Sequence, residues 1–217
     1  VDHLTPLDDL FVVLERDTLP MHIGGLLIFE GPAPKYDEFL EFLGGRLDRI
    51  PRYRQVISRV PLNLGPPAWL DDQHFHLPYH VRHTALPPPG TDEQLRTLTG
   101  RILSLRLDLD RSPWELWLVE GLTGDRFAIV DKVHHAMVDG LSGADLLEVL
   151  LDPSPQLQPV GHSSWRPEPW PSAASRVAAS VGASVRQPLT RLRQLTSALE
   201  IPIQAARSAA SAAVGTV

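Results

Sequence analysis

The sequence contains no cysteine. That excludes disulfides, thiolate metal sites and cysteine nucleophiles from its chemistry, and it fits a reducing compartment. No stretch approaches the ~18 uninterrupted apolar residues of a membrane-spanning helix. The first twenty residues carry Asp2, Asp8, Asp9, Glu15 and Asp17 and lack the basic start and apolar run of a secretory leader. A soluble or peripheral protein is expected. Lysine is scarce as well: Lys35 and Lys132 stand alone among arginines. Net positive charge is missing from most of the chain. The total is -6, and residues 172–217 hold five arginines against Glu200, a net of +4, leaving -10 on residues 1–171. An acidic body lacks the basic face that nucleic acid requires, so no nucleic-acid partner is expected.

What is present suits a globular domain. Hydrophobic residues make up 43% of 217, enough for one substantial core. Thr5-Pro6 followed by Leu7, Leu10, Phe11 and Leu14 reads as a capped helix with one apolar face. Residues 21–30 read as a strand ended by Gly31-Pro32-Ala33-Pro34. Residues 36–50 read as a helix through Phe39, Leu40, Leu43 and Leu47, with Gly44-Gly45 marking a close contact. Short strands are expected at 55–60, 66–70 and 79–85, then a break at Pro87-Pro88-Pro89-Gly90. Thr91-Asp92-Glu93 opens a helix carrying Leu95, Leu98, Ile102, Leu105 and Leu109. Residues 114–122 and 126–133 flank Thr123-Gly124-Asp125 as a hairpin. The second of these strands is apolar on both faces and should be central. A helix is expected at 140–151. The fold class is α/β, an α+β sandwich with a mixed sheet flanked by helices.

Three units follow from composition. Residues 1–152 form the α/β domain. Residues 153–171 hold six prolines and read as an extended linker. Residues 172–217 form a helical connector whose Arg186, Arg191 and Arg193 alternate with Leu189, Leu192, Leu195 and Leu199. That pattern suits a basic amphipathic helix meeting anionic lipid, or one packing on another part of the protein.

The chemistry concentrates at His134-His135-Ala136-Met137-Val138-Asp139-Gly140, where the central strand ends and a helix begins. Neighbouring residues of a strand point to opposite faces. One histidine should therefore face a cleft while the other is packed or hydrogen-bonded. Diverging side chains do not converge on a metal ion, and no metal site is expected. A lone imidazole with an ordinary pKa near ~6.5 suits general base work at neutral pH. It could take the proton of an alcohol attacking a thioester and return it to the leaving thiolate. Paired histidines at a strand end can equally be satisfied polar residues with no catalytic task. Asp139 reads as an ion pair fixing the loop, or as a cap on the helix that follows; Gly140 gives a turn or room for a ligand. His22, His74, His76, His80 and His83 read as polar residues of loops and an edge strand, and Trp69, Trp114 and Trp117 as core or tunnel lining.

The segment from His134 to Gly140 resembles the H-H-x-x-x-D-G motif of the bifunctional wax ester synthase/diacylglycerol acyltransferase family. Residues Val1 to Asp8, Leu27 to Gly31, Trp69 to Asp72 and Trp114 to Leu122 are similar to further stretches of the family, in particular of mycobacterial triacylglycerol synthases. The similarity runs from residue 1 to about 152. It implies the chloramphenicol-acetyltransferase-like fold of CoA-dependent acyltransferases, in which two halves enclose a channel. It implies His135 as the base, His134 in support, Asp139 holding the loop through an arginine, and Gly140 and Trp114 at the substrate. It implies acyl-CoA as co-substrate with no further cofactor, and diacylglycerol or a fatty alcohol as acceptor. A C-terminal half is the implied partner, and the implied location is cytoplasmic, at the inner face of the plasma membrane or at lipid droplets. The alternatives are a same-fold acyltransferase with another alcohol or amine acceptor, and a non-catalytic lipid-binding protein. Two features depart from the family pattern. Ser112-Pro113-Trp114 stands where P-L-W is usual, and family members are roughly twice this length, so residues 1–217 alone are expected to be inactive.

Overall fold

The computed structural model describes residues 2–60, 65–138 and 163–178. The chain runs through β1 (Asp2–His3), α1 (Pro6–Leu14), β2 (His22–Glu30), α2 (Tyr36–Arg46), β3 (Gln55–Ser58), β4 (Ala68–Asp71), a short α3 (Leu77–His80), β5 (Val81–Ala85), α4 (Asp92–Ser104), β6 (Trp114–Leu122) and β7 (Arg126–His134). A mixed sheet is ordered β2-β7-β6-β5, and a smaller one β1-β4-β3. In the larger sheet only β5 and β6 run parallel. The expected hairpin forms, with a bulge between Val119 and Leu122, and its second strand is central as its two apolar faces require.

The two faces of β7 build two cores. Ile129 and Val133 face a cluster with Phe39, Leu43, Trp114 and Leu118, while Ala128 and Val130 face Leu95, Ile102 and Val119. The first covers the sheet with α2 and the small sheet; the second covers it with α4. Gly24 and Gly25 let neighbours approach β2 closely: a Cβ at Gly25 would strike Asp131 Oδ1, and one at Gly24 would strike Leu103.

Several boundaries differ from the sequence reading. The helix expected to reach residue 50 ends at Arg46 and continues as two 3-10 turns, Leu47–Arg49 and Pro51–Arg54. Pro51 disfavours helical geometry at Ile50, which takes φ -132° and ψ 71°. Pro78 helps turn the start of the 79–85 strand into α3. Helix α4 stops at Ser104, so Leu105 lies outside it at 63% exposure.

Helix α1 is turned relative to its sequence pattern. Leu7, Leu10 and Leu14 are 47%, 38% and 38% exposed, whereas Asp8, Val12 and Glu15 are buried. Asp8 is held inward by a capping box with Thr5, whose Oγ1 donates to Asp8 Oδ2 at 2.6 Å. Glu15 is held inward by the site described next.

Residues 163–171 have no regular secondary structure and 173–178 are helical. This stretch is strapped to the body. Trp170 Nε1 donates to Asp71 O at 2.7 Å, Arg54 to Ser163 Oγ at 3.0 Å and Arg176 to Ser58 Oγ at 2.7 Å. The expected helix at 140–151 and the arginine-leucine helix of the tail lie outside the described residues.

Candidate active site

The end of β7 is clamped on both sides. His134 N–H donates to Pro113 O at 3.0 Å, toward β6, and His135 N–H donates to Met21 O at 2.9 Å, toward β2. A 3-10 turn, His135–Met137, follows at once. Backbone held this way gives the imidazoles fixed origins, as a catalytic group requires.

The histidines take different roles. His134 is fully buried, and its Nδ1 accepts the Ala136 N–H at 3.1 Å, capping the turn that carries His135. An accepting Nδ1 places the proton of the neutral ring on Nε2. Burial, with smaller contributions from the neighbouring His135, His22 and Arg106, holds the His134 pKa down to about 4. It is therefore neutral at neutral pH. His135 is half-buried, and its ring stacks on Phe11 with centroids 4.9 Å apart and planes 24° apart. The strand ends at His134 and the turn begins at His135, so one ring is sealed in the core while the other stays partly exposed against Phe11.

Helix α1 serves both histidines. Phe11 meets His135, and Glu15, one turn later on the same face, points at His134. Glu15 Oε2 lies 3.9 Å from His134 Nε2 and 3.5 Å from Arg106 Nη2. Arg106 also binds Asp17 at 2.7 Å. Because His134 is neutral, the charge partner of Glu15 is Arg106.

Trp114 lies in the core at 2% exposure. Its Nε1 donates to Tyr53 O at 2.8 Å, and its ring packs between Tyr53 and His80. The Ser112-Pro113-Trp114 departure thus sits directly beside the site, since Pro113 O receives the His134 amide. Asp139 and Gly140 lie outside the described residues. Burial raises the pKa of Asp131, which shares the Ile129 and Val133 face of β7. Lys132, on the His134 face, is fully buried and donates to Ile102 O at 3.1 Å; burial lowers its pKa.

The other histidines are not one group. His83 lies on the edge strand β5 and pairs with Glu120 at 3.4 Å. His80 is a core residue at 1% exposure, at the end of α3 and stacked between Phe75 and Trp114, which corrects its reading as a polar residue of a loop or edge strand. It lines a depression of about 300 Å³ with Asp72, His74, His76, Tyr79 and Arg111. Among the described residues no cluster of three or more His, Asp and Glu is placed to hold a metal ion.

Sequence reasoning found the histidine pair but missed Phe11, Glu15, Arg106 and His22 around it. The i, i+4 spacing of Phe11 and Glu15 was available, but the leucines of α1 outweighed it.

The fold is that of the chloramphenicol-acetyltransferase-like enzymes. The first condensation domain of the calcium-dependent antibiotic synthetase superposes with a TM-score of 0.55 at 19% identity, over 69% of this chain and 38% of that one. The wax ester synthase/diacylglycerol acyltransferase of Marinobacter aquaeolei VT8 superposes with a TM-score of 0.54 at 37% identity, over 66% of this chain and 37% of that one. The chain is 37% identical over 201 residues to the probable diacylglycerol O-acyltransferase tgs3 of Mycobacterium tuberculosis, spanning 92% of this chain and 74% of that protein. It is 41% identical over 158 residues to tgs1 of the same organism, spanning 71% of this chain and 34% of that protein. The family model of the wax ester synthase/diacylglycerol acyltransferase catalytic domain matches residues 4–217. The chain belongs to this family. It matches only about a third of tgs1 and of the Marinobacter enzyme, but three quarters of tgs3. The similarity to tgs3 also runs past the expected limit near residue 152.

Proposed function

We propose that the complete protein transfers a long-chain acyl group from acyl-CoA to the hydroxyl of diacylglycerol, giving triacylglycerol and CoA. Wax ester formation from a fatty alcohol uses the same chemistry. The observation that carries this reading is His135. It is the half-buried, outward member of a histidine pair whose other member is locked and neutral, in a chain of this family.

The acceptor O–H gives its proton to His135 as its oxygen bonds to the thioester carbon. The tetrahedral intermediate collapses, the carbon–sulfur bond breaks, and the imidazolium returns the proton to the CoA thiolate. The thioester is already activated, so no covalent acyl-enzyme and no further cofactor enters the scheme. His134 supports His135 by capping its turn. Asp139 fixes the loop beyond, and Gly140 leaves room beside the acyl or acceptor chain. Trp114 shapes the acceptor side by packing under the segment that receives the His134 amide.

A C-terminal half completes the channel in this reading. No helix among the described residues is long and apolar enough to cross a membrane. Contact with lipid is proposed to be peripheral, at the cytoplasmic face of the plasma membrane or at droplets, because acceptor and product both partition there.

The test is an assay of the full-length protein with radiolabelled oleoyl-CoA and either diacylglycerol or hexadecanol. Labelled triacylglycerol as the main product supports the reading, and labelled wax ester alone moves the acceptor to fatty alcohols. No labelled neutral lipid from either acceptor overturns it in favour of another alcohol or amine acceptor, or of lipid binding without catalysis.

A further inference from the structure

Behind the histidine pair lie polar atoms that the mechanism leaves unused. His22 opens β2 and is the direct cross-strand partner of His134, so the two side chains leave the sheet on the same face. His22 Nε2 lies 2.8 Å from Leu103 O. Only an N–H can make that contact, which leaves Nδ1 of the neutral ring as a lone pair. This Nδ1 is sealed from solvent and has no hydrogen-bond partner. His134 is the complementary case: its Nδ1 is taken by the Ala136 amide, and its Nε2–H is sealed and unpartnered. Sealed polar groups without partners are costly, and here a donor and an acceptor stand on paired residues. Glu15 Oε1 is a third such atom at the same place.

We propose that His22 is a positioning residue for the histidine pair, its Nδ1 receiving the Nε2 proton of His134 across one water molecule shared with Glu15. This rests on the reading of His135 as the base and carries it one step further back. With that water in place, a continuous chain runs from Ala136 N–H through His134 and His22 to Leu103 O. Every donor in it meets an acceptor only when His134 carries its proton on Nε2. The opposite tautomer would set an Nδ1–H against the Ala136 N–H and remove the cap from the turn that presents His135. The groups facing His134 are His22 from β2, Glu15 at the end of α1, Arg106 beyond α4 and His135 beside it. His22 faces Lys132, Glu15 and Glu115. Burial lowers the pKa of both imidazoles, which keeps them neutral as the chain requires.

Two substitutions separate this role from a plain tether. His22→Asn keeps an acceptor where Nδ1 stood and loses the donor to Leu103. His22→Gln keeps a donor near Nε2 and loses the acceptor. Long-range 1H–15N spectra of the histidine-labelled, full-length protein read the His134 tautomer without any need for activity. The expected result is an Nε2–H tautomer in the parent and in His22→Asn, and a mixed or altered signature in His22→Gln. In the acyl transfer assay, kcat should fall about tenfold in His22→Gln with KM unchanged, and stay near the parent in His22→Asn. A His134 signature unchanged in His22→Gln would overturn the proposal. So would a loss of kcat in His22→Asn equal to or larger than that in His22→Gln, which would make His22 only a tether for α4. If the full-length protein shows no acyl transfer, the functional reading fails, and the spectra alone decide this proposal.

Discussion

Oε2 of Glu15 lies 3.9 Å from Nε2 of His134, and both side chains are fully buried. The distance is too long for a hydrogen bond, and His134 is neutral, so Glu15 depends on Arg106 for compensation. Arg106→Ala should therefore destabilise the fold by about 1–3 kcal/mol in urea unfolding, because it strips a buried carboxyl of its charged donor. Glu15→Gln combined with Arg106→Ala should cost less than the two single changes added together. Strict additivity would show that the contact carries no coupling.

The fold should lose stability in acid through His134. Its pKa is about 4 in the fold against an ordinary value near ~6.5 in the unfolded chain. Between these values the unfolded chain binds the proton and the fold does not, so stability rises with pH. The contribution is fully present above about pH 6.5 and is lost as pH falls toward about 4, by roughly 3 kcal/mol. His22 and His80, also lowered by burial, act in the same direction. Asp131 is raised by burial. Its contribution is present below about 3.8 and is lost as pH rises through its raised value, so it acts the opposite way. Urea unfolding across this range should give a shallower pH dependence in His134→Asn than in the parent. Equal slopes would remove His134 from the account.

Two glycines should respond to alanine with opposite signs. A Cβ at Gly25 would strike Asp131 Oδ1, so Gly25→Ala should destabilise the fold by about 1–3 kcal/mol. Gly100 lies inside α4 with nothing within 4 Å of an added Cβ. Gly100→Ala should stabilise by about 0.5–1 kcal/mol through helix propensity. Thermal melts of both variants check the pair, and destabilisation by Gly100→Ala would contradict the packing described for α4.

These contrasts mark what the sequence could show. Periodicity located α4 and the β6–β7 hairpin, because their apolar faces are the ones the cores use; β2 was located as well, although Leu26 and Ile28 on its other face stay exposed. It misjudged α1, where buried polar contacts at Asp8 and Glu15 outcompete a stripe of leucines for the inward face. It overran α2 because apolar spacing continues past Arg46 while Pro51 removes helical geometry at Ile50. At the site, the expectation that one histidine is packed and the other more open holds, but strand alternation is not its cause, since the strand ends at His134 and His135 belongs to the 3-10 turn. The carboxyl, arginine and second imidazole behind His134 come from α1, the segment after α4 and β2. Only tertiary pairing brings such distant residues together, and no local pattern announces it.

The central claim is that His135 takes the acceptor's proton. The most direct measurement is the turnover of radiolabelled oleoyl-CoA with diacylglycerol by the full-length protein and by His135→Ala, with matching thermal melts to show that the variant is folded. The account predicts that kcat falls about 100-fold or more while the melt is retained, the size expected for loss of a general base. A folded His135→Ala protein that makes triacylglycerol at the parent rate would contradict it.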